Sequence, residues 1–183
     1  MILASQSPRR RELLSLVSSD FRVVVADVDE SLLPGEAADV YVGRLAELKA
    51  RTVAHHAGPN EPVIAADTTV AVAGHIFEKP VDEADFLRMM RELSGQTHQV
   101  FTGICVICAD RVQTQVVCTD VSLRHITESE RMTYWATGEP KDKAGGYAIQ
   151  GLAARFVTRI EGSYTNVVGL PLVELEALLR NAS

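Results

Sequence analysis

Short apolar runs alternate with helical repeats along this chain, and that alternation is the mark of an α/β protein. Residues 1–4 predict a strand. A helix follows from Pro8 to about Val17, with Leu13, Leu14, Leu16 and Val17 as its apolar stripe. Residues 21–26 are rich in β-branched side chains and predict a buried strand. Residues 27–34 form a loop carrying Asp27, Asp29 and Glu30. A long amphipathic helix runs from 36 to about 56, with Tyr41, Leu45, Leu48 and Thr52 on one side. Lys49 falls inside that arc, a costly place for an ammonium unless a partner or a cleft receives it. Strands over 62–66 and 69–73 lead into a Gly74-His75 turn. A helix over 82–93 stops at Ser94-Gly95, and long strands over 98–108 and 112–124 follow. Thr127-x-x-Glu130 is a capping box that opens a helix to about Thr137. Residues 138–146 predict a loop, 156–160 a strand and 172–180 a closing helix.

The first helix carries the most telling chemistry. Ser7 is a good N-cap and Pro8 suits the first helical position. Arg9, Arg10 and Arg11 then crowd an end that already carries partial positive charge, which is unfavourable unless an anion sits there. At 100° per residue Arg9 and Arg10 share the arc of the apolar stripe, so both lean over the body while Arg11 faces water. Taken alone, the cluster is equally a solvated basic turn or a set of arginines paired with nearby acids.

The chain has 183 residues, 46% of them hydrophobic and 23% charged, which fits one soluble domain spanning 1–183. A net charge of −6 argues against a dedicated nucleic-acid binder, and no aromatic platform accompanies the arginines. Any polyanionic substrate must therefore meet a local cluster of cations, a metal, or both. Cys105, Cys108 and Cys118 lie in strand-like runs and are expected as buried reduced thiols. The Cys105–Cys108 spacing puts those two on opposite faces of a strand, and no second pair completes a zinc set. No apolar run approaches 18 residues and no signal-type segment is seen at residues 1–5, so a cytoplasmic location away from membranes is expected.

Other residues add to the arginine turn. Asp67 ends a buried strand, where α/β proteins place ligand sites, and is a candidate base or metal ligand, or else a turn cap. Lys79 precedes Pro80 and is held extended, which suits a phosphate contact or a surface turn. Lys143-Ala144-Gly145-Gly146-Tyr147 joins a cation to two glycines that permit close backbone approach to a ligand or simply a tight turn. Gln150 offers a donor and an acceptor together, the pattern that reads uracil or thymine, although a surface glutamine looks the same in sequence. With Glu30 and Lys49, the ensemble suits a nucleoside triphosphate and a divalent metal. Neither a Walker A sequence nor a GxGxxG fingerprint is present.

Leu3-Ala4-Ser5-x-Ser7-Pro8-Arg9-Arg10, Ala66-Asp67-Thr68-Thr69-Val70, Lys79-Pro80, Ser94-Gly95-x-x-His98, Lys143-Ala144-Gly145-Gly146-Tyr147-x-Ile149-Gln150-Gly151 and Asn166-Val167-Val168-Gly169-Leu170-Pro171 resemble the Maf family. The match runs in order from residue 1 to about 175. That family comprises nucleoside triphosphate pyrophosphatases, also called septum formation inhibitors. The Asp-Thr-Thr and Gly-Gly-Tyr-x-Ile-Gln forms resemble the subgroup acting on dTTP and UTP. The resemblance implies hydrolysis between the α and β phosphates with a divalent cation (Mg²⁺ or Mn²⁺), for which Asp67 and Glu30 are the candidate ligands, Asp67 serving as base or as metal ligand. It implies Asp67 as proton acceptor, Arg9, Thr68 and Gln150 at positions linked to substrate choice, and Ser5, Arg10, Glu30, Lys49 and Lys79 in the substrate site. Lys143 stands in the matched glycine segment. A mixed, elongated sheet with flanking helices in two lobes around a cleft is implied, similar to inosine-triphosphate pyrophosphatases, together with a homodimer. Glu78 departs from the pattern, which often has glycine before Lys-Pro. The family's older name leaves a rival open: a non-catalytic regulator of division that binds a nucleotide or a protein.

Overall fold

A computed structural model describes residues 1–182. The chain enters through β1 (Ile2–Leu3), fully buried, and turns at once into α1 (Pro8–Ser15). Ser7 is extended at that turn and its hydroxyl accepts from the Arg10 N–H at 3.4 Å. β1 is parallel to β2 (Arg22–Val23) on one side and to β3 (Val63–Val72) on the other. The intervening crossovers are α1 and α2 (Ala38–Ala54), and they cover opposite faces of the sheet. Leu13 and Leu14 of α1 pack with Leu3 and Ile64. Ala46, Ala50 and Val53 of α2 pack with Ile2, Ala4, Val63 and Ala65. The chain thus reverses direction across the sheet at β1, and the crevice beyond its C-terminal end is where such folds bind ligands.

The rest of the sheet is antiparallel. β4 (His75–Phe77), β5 (Thr97–Cys108), β6 (Arg111–Leu123) and β7 (Val157–Glu161) extend it in the order β2-β1-β3-β5-β6-β7, with β4 against β3. α3 (Glu83–Leu93), α4 (Glu128–Ala136), α5 (Tyr164–Val168) and α6 (Leu172–Ala182) complete the fold. The capping box of α4 forms as the sequence predicts, with the Thr127 hydroxyl accepting from the Glu130 N–H. A mixed sheet flanked by helices is the expected fold class. α2 lies directly on β5: a Cβ built on Gly103 would stand 2.3 Å from the Val42 carbonyl oxygen, so only glycine admits this approach.

Several sequence expectations change. The strands expected at 62–66 and 69–73 are one continuous strand, β3, because Asp67 and Thr68 remain in ladder with Gly103 and Thr102. The strand expected over 21–26 shrinks to β2, whose two residues are exposed and half-buried at the sheet edge. α2 buries Val42, Leu45, Ala46, Lys49, Ala50 and Val53 together with Tyr41, while Leu48 and Thr52 face outward. Its inward arc is centred nearer Lys49 than the bulky residues suggested. α1 ends at Ser15, two residues early, and Leu16 is 75% exposed. Cys105 and Cys108 are buried free thiols, but Cys118 is exposed on β6. β4 and α5 were not expected, being shorter than a readable period. Among the described residues no helix is long and apolar enough to cross a membrane.

Candidate active site

The sheet has a gap in it. β5 pairs with β3 from Val63 to Ala71 along one edge. On the other edge β1 meets only Val63 and Ile64, and β4 meets Val70, Ala71 and Val72. Residues 65–69 therefore border an opening instead of a strand. Asp67 and Thr68 point to opposite faces of β3, yet the opening exposes both to one cavity of about 590 Å³, within the range of small-ligand sites. Ser5, Arg9, Arg10, Glu30, Lys49, Asp67, Thr68, Lys79, Lys143 and Gln150 all line it. Residues spread over most of the sequence are brought to a single place.

On the α2 face the site is ionic. Close seating of α2 over Gly103 carries Lys49 to the sheet, where its Nζ lies 2.6 Å from Asp67 Oδ1 and 2.7 Å from Glu30 Oε1. Asp67 is only 7% exposed. Burial pushes its carboxyl above the ordinary carboxylate range, although Lys49 and Arg10 pull the other way. Burial also works on Glu30, but there the hydrogen bond and charge of Lys49 prevail and hold the carboxyl below its usual value. The Tyr41 hydroxyl lies 2.9 Å from both the Glu30 carbonyl oxygen and Glu78 Oε1. The carboxylate that departs from the resemblance is thereby tied to a phenol at the cavity wall.

On the α1 face one cation, Arg10, is held entirely by neutral oxygens. Arg10 Nε donates to the Gly169 carbonyl at 2.8 Å, Nη2 to Thr68 Oγ1 at 3.0 Å and Nη1 to Ser5 Oγ at 3.4 Å. Among the described residues no carboxylate forms an ion pair with Arg10. The guanidinium is aimed by three neutral oxygens at the N-terminal end of α1, which has no acid in its first turn. Arg11 is exposed, as the helical angle predicts. Arg9 and Lys143 both meet Asp142, Arg9 through Nη1 at 3.4 Å. Lys79 and Gln150 are exposed at the rim.

The segment bearing Lys143 and Gln150 is held from beneath. Tyr147 and His98 are buried, with Tyr147 OH 2.7 Å from His98 Nε2 and the rings edge-on. Burial alone drives the His98 pKa down to about 4, so the ring is neutral near pH 7. Gly145 and Gly146 have φ of +67° and +72°, and added Cβ atoms would stand 2.9 Å from Val70 and 2.8 Å from Phe86. The close backbone approach expected there is to the protein's own side chains, which seat the loop beside the cavity.

The donor set can be tested against a divalent cation. Among the described residues no group of three His, Cys, Asp or Glu side chains is placed to hold one. Two carboxylates, Asp67 and Glu30, stand together at Lys49. That number suits Mg²⁺, which takes one or two carboxylates, keeps waters and draws further oxygens from substrate phosphates.

The match to the Maf-like protein family extends over residues 1–182. This chain belongs to the Maf-like family. It is 47% identical over 186 residues to a dTTP/UTP pyrophosphatase of Pseudoalteromonas atlantica (strain T6c / ATCC BAA-1087), covering 100% of this chain and 97% of that protein. It is 49% identical over 179 residues to the protein of the same name from Vibrio cholerae serotype O1 (strain ATCC 39315 / El Tor Inaba N16961), covering 98% and 96%. The Staphylococcus aureus Ham1 protein structure aligns with a TM-score of 0.54 and 18% identity over 100% of this chain and 98% of that one, a likeness of fold.

In this Maf-like protein several contributors to the site had no role assigned from sequence. The Gly169 carbonyl acts through backbone, which no side-chain pattern reveals, although its motif stood out. Asp142 sat in a presumed loop and Tyr41 on a presumed core arc. Thr102 left a signal: it is a polar residue set among Val100, Ile104 and Val106 in the inward stripe of β5.

Proposed function

We propose that this chain is a nucleoside triphosphate pyrophosphatase acting on dTTP and UTP, releasing the nucleoside monophosphate and pyrophosphate. The observation that carries this reading is Arg10: a partly buried guanidinium, aimed into a cavity and left without a carboxylate. An unneutralised cation in such a place is costly, and a phosphate oxygen offsets that cost by charge and by bidentate geometry. The relatives named dTTP/UTP pyrophosphatase support the substrate class.

The roles follow from charge and position. Arg9, Arg10, Lys79 and Lys143, with the N-terminal end of α1, hold the triphosphate oxygens. Water attacks the α-phosphorus, the bond from it to the α–β bridging oxygen breaks, and pyrophosphate leaves with that oxygen. Asp67 accepts the proton from water; burial makes it a better base, and Lys49 keeps it ionised and oriented. Asp67 and Glu30 would hold a divalent cation together with the phosphates, where it supplies charge stabilisation for the transferring group. Thr68 and Gln150 sort the base, since a site matched to the N3–H and carbonyl edge of uracil or thymine leaves cytosine mispaired.

A panel of canonical and modified triphosphates, with Mg²⁺ or Mn²⁺, tests the reading by pyrophosphate release. dTTP and UTP should turn over fastest and CTP far more slowly. Tight binding without turnover of any triphosphate would replace the enzyme with the nucleotide-binding regulator, and a purine preference would overturn the base assignment.

A further inference from the structure

Thr68 and Thr102 face each other across β3 and β5, with hydroxyl oxygens 2.9 Å apart. Apart from His98 on β5, their neighbours along the same strand faces are apolar. Ile64, Ala66 and Val70 flank Thr68, while Val100, Ile104 and Val106 flank the fully buried Thr102. A valine at 102 would fill the same volume, so packing alone does not account for the hydroxyl.

Counting protons orders this pair. Thr102 Oγ1 lies 2.9 Å from the carbonyl oxygen of Asn166, in the middle of α5. That carbonyl lacks the usual next-turn donor, because the Gly169 and Leu170 N–H groups both go to Thr165 and residue 171 is proline. A carbonyl only accepts, so the single Thr102 proton goes to it. Thr102 must then accept from Thr68, which commits the Thr68 proton inward. Thr68 is left with lone pairs toward the cavity, and it accepts from Arg10 Nη2 at 3.0 Å. The opposite wiring would leave the Asn166 carbonyl orphaned in the core, which is disfavoured.

We infer that Thr102 is a positioning residue for the anion clamp: it fixes the direction of the Arg10–Thr68–Thr102–Asn166 hydrogen-bond chain. Arg10 is thereby presented with an acceptor and locked in its aim, though Thr102 itself never touches substrate. Without the Thr102 hydroxyl, Thr68 is free to turn its proton toward the guanidinium, and the clamp loses one of its three anchors. This inference rests on the proposed anion-binding role of Arg10.

The test uses the full chain and two readouts: turnover of dTTP, and calorimetric binding of inorganic pyrophosphate, which needs no catalysis. Thr102→Val should weaken pyrophosphate binding and raise KM by about tenfold, the scale of one hydrogen bond to a charged group, with kcat changed less. Thr102→Ser should restore both. In a Thr68→Val background, Thr102→Val should add nothing, because the path to Arg10 is already cut. Equal losses in the Thr68→Val and wild-type backgrounds, or wild-type affinity in Thr102→Val, would overturn the inference. Pyrophosphate binding that responds as expected in a protein that turns over no triphosphate would sink the catalytic reading and leave this one standing. Wild-type protein that binds no pyrophosphate sinks both.

Discussion

Lys49 and Arg10 are two cations on opposite faces of one strand opening, and they are treated in opposite ways. Lys49 is buried between two carboxylates, Asp67 and Glu30, at 2.6 and 2.7 Å. Arg10 is held by a carbonyl and two hydroxyls and has no carboxylate among the described residues. In the proposed mechanism the paired cation, neutralised already, fixes the carboxylate that meets water. The unpaired one keeps its charge for an incoming anion. On that proposal one face handles a proton and the other holds phosphate, and the missing pairing on β3's edge opens both to the same cavity.

The sharpest way to break this division is Asp67→Asn, which keeps shape and removes the base. Turnover should fall by about 10³-fold with pyrophosphate binding retained, because a positioned general base supplies roughly 10²–10⁴ in rate. Loss of binding with turnover spared would reverse the two faces. In the wild-type enzyme the acid limb of the rate profile should lie above the ordinary aspartate range, since burial raises the Asp67 pKa and the protonated form cannot accept a proton. Stability carries the matching sign. The raised pKa favours the folded state most at low pH, and that contribution is lost as pH rises through the folded value.

His98, on the Arg10 face, titrates the other way. Its folded pKa of about 4 lies below the unfolded 6.5, so acid charges the unfolded chain first. Stability should drop as pH falls between these values, by on the order of 3 kcal/mol, and His98→Gln should flatten that slope. Urea unfolding across the range reads it directly. A slope unchanged in the variant would mean that the protein owes its acid sensitivity in this range to another group.

Arg10→Lys tests the anion side. It keeps the charge but loses the planar fork that Gly169, Thr68 and Ser5 aim. Triphosphate and pyrophosphate affinity should fall about 10- to 100-fold by calorimetry, the range for hydrogen bonds between charged groups. An unchanged affinity would show that charge alone suffices and that the three neutral anchors do not matter.

The two faces also differ in how far sequence disclosed them. Asp67 at a strand end and Lys49 on a buried arc were visible as chemistry out of place, and their pairing follows once α2 and β3 are neighbours. The Arg9–Arg10 turn was visible for the same reason. What held Arg10 was not, because the Gly169 carbonyl and the Thr68 hydroxyl, itself bonded to Thr102, meet it only through contacts across long sequence separations. Periodicity gave the long helices and the β5–β6 hairpin, where many residues share one pattern. It failed at β2, β4 and α5, which are two, three and five residues long and owe their conformation to neighbours. The continuous β3 was broken in two because Asp67 and Thr68 look like loop residues; the gap in the sheet edge is what permits polar side chains there.

The smallest effect lies at Asp142, where the anion side is partly filled by the protein itself. Its carboxylate meets Arg9 and Lys143, two cations at the cavity rim, while its own side chain is 62% exposed. An incoming phosphate must displace this contact or share the cations with it. Exposed pairs contribute about 0–1 kcal/mol, so Asp142→Asn should lower KM by up to about fivefold at low ionic strength, with kcat unchanged. The gain should fade as salt is added, since screening weakens the competing carboxylate and the substrate's attraction together. A rise in KM would assign Asp142 the opposite duty, that of a brace holding Arg9 and Lys143 in place as Gly169 and Thr68 hold Arg10.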